Sequence, residues 1–74
     1  MSTSKPTDWT TIPHPGGGIT VVDTYGHVIG WTERGSLGWS ALWRSRSGDQ
    51  RRFADTPEAA ADLLRAGLAE EHAR

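Results

Sequence analysis

The chain has 74 residues, with eight basic and nine acidic side chains, a formal net charge of −1 and no cysteine. A chain this short makes a single domain that buries only about 60% of the surface its unfolded form exposes, and with disulfides excluded the expected support is association with a second copy. No run approaches the roughly 20 apolar residues of a membrane span, and residues 1–11 lack the apolar stretch of a secretion signal, so the expectation is a cytoplasmic protein with no membrane contact.

Residues 1–8 are polar and carry no hydrophobic period, which predicts a flexible start. Trp9 and Ile12 follow, then Pro13, His14, Pro15 and the glycines Gly16, Gly17 and Gly18. The prolines keep this stretch out of a helix and the glycines make a hinge, so residues 1–18 are read as an arm whose Trp9 can dock on the domain or on a partner.

From Ile19 the pattern is that of strands. Ile19, Thr20, Val21 and Val22 are mostly β-branched, and residues 23–27 supply turn chemistry around Gly26. Residues 27–33 alternate, with Ile29 and Trp31 on one parity. Residues 37–45 alternate more clearly: Leu37, Trp39, Ala41 and Trp43 form an apolar face, with Gly38, Ser40 and Arg44 opposite and Leu42 an apolar exception among them. A turn over residues 45–49 leads into a short strand over residues 50–53. Thr56 is then an N-cap, Pro57 suits the first helical position and Glu58 complements the positive end of the helix dipole. Ala60, Leu63, Leu64, Gly67 and Leu68 fall on one helical stripe. Residues 19–74 thus read as one α+β domain, a three- to four-stranded antiparallel sheet packed on one C-terminal helix that meets Trp39, Trp43 and Phe53. Trp31, on the parity of Ile29, is also assigned to the core.

Chemistry is sparse. His14, His27 and His72 share no ligand spacing, so no metal site is expected. The glycine triplet precedes a strand and is followed by no Lys-Ser or Lys-Thr pair, so it lacks the parts of a phosphate loop, and no cofactor is expected. No serine or carboxylate pair is placed for catalysis, and the chain is read as a non-enzymatic binding protein.

The charges are segregated. Arg34, Arg44, Arg46, Arg51 and Arg52 face only Glu33 and Asp49 over residues 33–52, whereas five acids and two arginines follow from Asp55 onward. The strand alternation predicts a helix-free face presenting Ser40, Leu42, Arg44, Gln50 and Arg52, residue types that contact phosphates and base edges. Arginines on an exposed sheet also serve solubility and discourage edge pairing.

Ile29-Gly30, Gly38-Trp39-Ser40-Ala41, the Gly48 turn, Phe53 and the helix start Thr56-Pro57-Glu58-Ala59 together resemble the arm-binding domains of phage-type tyrosine integrases, and more distantly the AP2-like domains of plants. The pattern is also similar to small proteins of high-GC bacteria and their phages. The resemblance implies a phage or mobile-element protein whose sheet face enters the groove of double-stranded DNA. Carried over residue by residue, it makes Arg44, Gln50 and Arg52 DNA contacts, with Arg46 on a phosphate. The alternative reading is a protein-interaction module, possible as a homodimer, that binds a protein partner through strand edges, Trp9 and Leu42.

Overall fold

The computed structural model describes residues 9–72. The elements are β1 (Thr10–Pro13), β2 (Ile19–Val22), β3 (Val28–Gly35), β4 (Gly38–Ser45), β5 (Gly48–Ala54) and α1 (Pro57–His72). The strands form one antiparallel sheet in the order of the sequence, β1 to β5. The architecture is α+β as expected, with five strands where three or four were predicted. The added strand is β1, which pairs Thr10 to Pro13 with Val22 to Ile19. The segment from Thr10 is therefore part of the sheet and not an arm, while the flexibility expected of residues 1–8 lies outside the described residues.

The glycine triplet is correspondingly a tight connection and not a hinge. His14 N–H donates to the Gly18 carbonyl (3.1 Å) and Gly17 N–H to that of His14 (3.1 Å). Gly18 has φ +82°, and a β-carbon there would lie 2.9 Å from the Trp39 ring. Only glycine lets the β1–β2 turn fold down on that indole.

Asp23 organises the next turn. Its Oδ1 accepts from the backbone N–H of Tyr25 and of His27, both at 2.9 Å. The bond from His27 N–H, above all, holds the carboxyl below the 3.8 of an ordinary aspartate; partial desolvation opposes it, while Tyr25 N–H and the nearby His27 ring reinforce it. A lowered folded-state value means that this group stabilises the hairpin above its unfolded value, and that the contribution disappears as pH falls through the folded one. The expected result is an Asp23 side-chain NMR titration with its midpoint below 3.8, and a β2–β3 turn whose amide protection weakens below that midpoint. An unshifted midpoint would contradict the two N–H contacts.

The helix begins where its cap predicts. Thr56 Oγ1 accepts from Ala59 N–H (3.1 Å), and Ala60 N–H donates to the Thr56 carbonyl (3.0 Å). Its buried stripe, Ala60, Ala61, Leu64, Gly67 and Leu68, lies on one face of the sheet against Ile19, Val21, Ala41 and Trp43. Two glycines set this contact: a β-carbon on Gly30 would meet Leu64 Cδ1 at 2.6 Å, and one on Gly67 would enter the Trp43 ring. A glycine inside a helix costs about 1 kcal/mol relative to alanine, and at Gly67 that cost is offset by the closeness it permits. Thr32, buried between sheet and helix, accepts from Ile19 N–H at 2.9 Å, and no buried side-chain polar atom among the described residues lacks a partner.

Register corrects three core assignments. Val21 pairs with Gly30 and Val22 with Val28, so Ile29 is an inserted residue, a bulge, and packs against the core. Trp31 lies instead on the opposite face, paired with Leu42. Phe53 also lies on that face, opposite Ser40, and is 67% exposed. Leu37, expected at the start of an apolar strand face, sits at the β3–β4 turn and is 91% exposed.

Candidate interaction face

The side of the sheet away from α1 is open. Across its centre the register aligns Ile12, Thr20, Trp31, Leu42 and Arg51, one residue from each strand. A second row toward the β3–β4 turn holds Glu33, Ser40 and Phe53, and toward the β4–β5 turn Arg44 stands opposite Asp49. Val22 and Val28 extend the apolar part near the β2–β3 turn. Ile12 and Val28 are close to half exposed, and Trp31 and Leu42 are partly covered by their neighbours. Five strands spaced about 4.8 Å apart make this face on the order of 20 Å wide. It is an apolar band with charge at its margins, unlike the alternating polar face that ordinarily meets water.

The marginal charges balance. Arg51 lies 3.6 Å from Glu33 and places its guanidinium 6.0 Å from the Phe53 ring centroid, so one arginine is shared between a carboxylate and an aromatic face. Arg44 has Asp49 directly across the ladder. A shallow depression of about 420 Å³ near the β3–β4 turn is lined by Glu33, Leu37, Ser40, Arg51 and Phe53.

The predicted DNA contacts do not share this face. Arg44 lies on it, together with Ser40 and Leu42, as expected. Gln50 pairs with Trp43 and Arg52 with Ala41, which puts both on the helix side of the sheet. There they line a cleft of about 230 Å³ with Trp43, Ser47, Gly67 and Glu70. Arg46 is in the β4–β5 turn, where its backbone N–H donates to Glu71 Oε2 (3.1 Å) and its guanidinium lies 3.8 Å from the same oxygen. The five arginines are thus divided among two faces and a turn. Of the two residues assigned to protein contact, Leu42 is at the centre of the open face, whereas Trp9 packs against the hydrophobic core.

Trp31, Arg51, Phe53 and Ile12 are the residues that sequence reasoning left off this face. The signal that could have placed Trp31, Arg51 and Phe53 is the length of two turns: Gly35 pairs with Gly38 and Ser45 with Gly48, leaving two-residue loops. A loop of even length joins odd positions on one strand to even positions on the next.

Among the described residues no three potential metal-ligating side chains come together, and no helix is long and apolar enough to cross a membrane. No protein-family model matches the chain, and comparison with curated proteins and with solved structures likewise finds no match, so the functional reading rests on the geometry of the open face.

Proposed function

We propose that the chain is a small non-enzymatic interaction module that binds protein through the open face of its sheet. The observation that carries this reading is the row Ile12, Trp31, Leu42 with Phe53 beside it: large apolar groups held on one five-stranded sheet with nothing of the described chain over them. Burying aromatic and aliphatic side chains at the centre of a contact, with charged groups at the rim, is the usual distribution of energy in protein interfaces. The partner surface this face fits is itself apolar at its centre and carries both signs of charge at its edge.

Contact with DNA has less to support it here. Duplex binding draws its affinity from cations that neutralise phosphates. On the open face Arg44 and Arg51 are matched by Asp49 and Glu33, and Gln50 and Arg52 project from the other side of the sheet.

The test places a photo-reactive side chain at position 53, on the open face, and in a second variant at position 65, on the exposed outer side of α1, and irradiates cells producing each. Protein adducts from position 53 and none from position 65 are expected. A titration of the purified chain against a labelled DNA duplex is expected to show no binding at low salt. Tight, steeply salt-dependent duplex binding, or equal adducts from both positions, would overturn the reading.

A further inference from the structure

We infer that the occupant of the open face is a second copy of this chain, held face to face about a two-fold axis; this rests on the interaction reading above and names its partner. The first argument is charge. A face that binds itself must tolerate its own charges doubled, and this one carries Arg44 and Arg51 against Glu33 and Asp49, a balanced set. The helix is a poor candidate for such a contact, because its exposed side bears Glu58, Asp62 and Glu70 against Arg65.

The second argument is the arrangement of those charges. Take the central row, Ile12 to Arg51, as the two-fold axis of an isologous contact, in which each surface patch meets its own copy. Rotation about that row keeps Trp31 and Leu42 over their own equivalents, and Arg51 likewise, at the β5 edge, where each guanidinium lies 3.6 Å from Glu33 of its own chain. It also exchanges the two ends of the strands, since Ser40 and Arg44 are each two residues from Leu42 on β4. The row holding Glu33 and Phe53 then overlies the row holding Arg44 and Asp49. Glu33 comes one strand from Arg44 of the second copy, opposite in sign, at the roughly 10 Å spacing of packed sheets that an arginine side chain can span.

The third argument is size. β3 and β4 are each eight residues long, about 26 Å of strand, and β1 and β2 four, about 13 Å, so the face covers on the order of 500 Å², below the roughly 600–1,000 Å² per partner of standard interfaces. That area suits a reversible dimer with a dissociation constant of about micromolar order, not an obligate one. The monomer has a core of its own, with Leu64, Leu68 and Val21 almost fully enclosed, so it stays folded when the dimer separates.

Sedimentation equilibrium of the full chain, from about 5 to about 500 μM to bracket that constant, is the test. The weight-average mass is expected to rise from 8.1 kDa toward twice that value. Leu42→Glu is expected to remain monomeric throughout with an unchanged circular dichroism spectrum. Phe53→Glu, at a position two-thirds exposed in the monomer, gives the same readout should Leu42→Glu fail to fold. Glu33→Arg is expected to weaken self-association at least tenfold, and Glu33→Arg with Arg44→Glu to recover most of it. Wild-type chain that stays monomeric at the highest concentration, or a dimer indifferent to both Leu42→Glu and Phe53→Glu, overturns the inference. A monomer whose position 53 still cross-links to other proteins in cells overturns the self-association alone; a monomer with no adducts from that position overturns the interaction reading with it.

Discussion

Leu64→Ala is expected to cost about 2–5 kcal/mol, the range for emptying a fully buried leucine site. A chain of this length has a total stability on the order of 4–11 kcal/mol, so the change removes a large part of it and lowers Tm by roughly 10–30 °C. The site cannot collapse easily. Leu64 is completely buried, its Cδ1 reaches the bare backbone of Gly30, and the strand beneath it is held on both sides by β2 and β4. The same contact makes a sharper test. Gly30→Ala alone sets a methyl 2.6 Å from Leu64 Cδ1, 3.1 Å from the Leu42 carbonyl oxygen and 3.2 Å from Trp43 Cβ, and is expected to destabilise by about 1–3 kcal/mol. In the Leu64→Ala background that methyl enters the vacated space, so urea unfolding of all four proteins should give a favourable coupling of about 1 kcal/mol or more. Additive losses would mean that the leucine does not rest on the glycine.

Gly67→Ala decides between two effects of opposite sign. In an exposed helix the change gains about 1 kcal/mol, because alanine is the better helix former. Here the new β-carbon enters the Trp43 ring, and overpacking a formed core costs about 1–3 kcal/mol. Trp43 is 6% exposed, wedged between helix and sheet, and has nowhere to swing without opening the helix contact. The clash should therefore win, with a net loss of up to about 2 kcal/mol and a Tm lower by up to roughly 15 °C. Replacing Trp43 by leucine removes the ring, and in that background Gly67→Ala should turn stabilising. A rise in Tm in the wild-type background would show that helix propensity governs the position and that the indole does not lie beneath it.

Which parts of this fold could be read in the chain depended on how local their causes are. The helix was legible because its cap, first residue and apolar stripe are all determined within α1 and the residue before it, and Thr56, Pro57 and Leu64 act as their types predict. The strand at residues 38–45 was legible for the same reason, since alternation within one strand is a local property. Faces were not, because a face is shared between strands and depends on how they are joined. Reading odd positions of β3, β4 and β5 as one face assumed loops of odd length. The two-residue loops at Ser36-Leu37 and Arg46-Ser47 reverse that relation twice, and so moved Trp31 and Phe53 out of the core and Gln50 and Arg52 behind the sheet. Ile29 keeps its expected place against the core, but through a bulge with no signature in its own residues. The first strand was missed because Pro13, Pro15 and three glycines read as punctuation, and its four residues gain their order from pairing with β2. The central row of the candidate site was correspondingly invisible in the sequence, being one residue from each of five strands.

Because the strands lie side by side in the order in which they are made, each can pair as soon as its predecessor is in place. Hairpins of this kind close within about 1–10 μs, and pairing between neighbours in sequence needs no long loop closure. Only α1 must turn back across the sheet, from Pro57 onto β3 and β4. Until it docks, Val21 and Trp43 are as bare on one side as Trp31 and Leu42 are on the other. The chain is at that stage a naked ribbon, open to capture by any apolar neighbour, and the docking of a single helix ends half of that exposure.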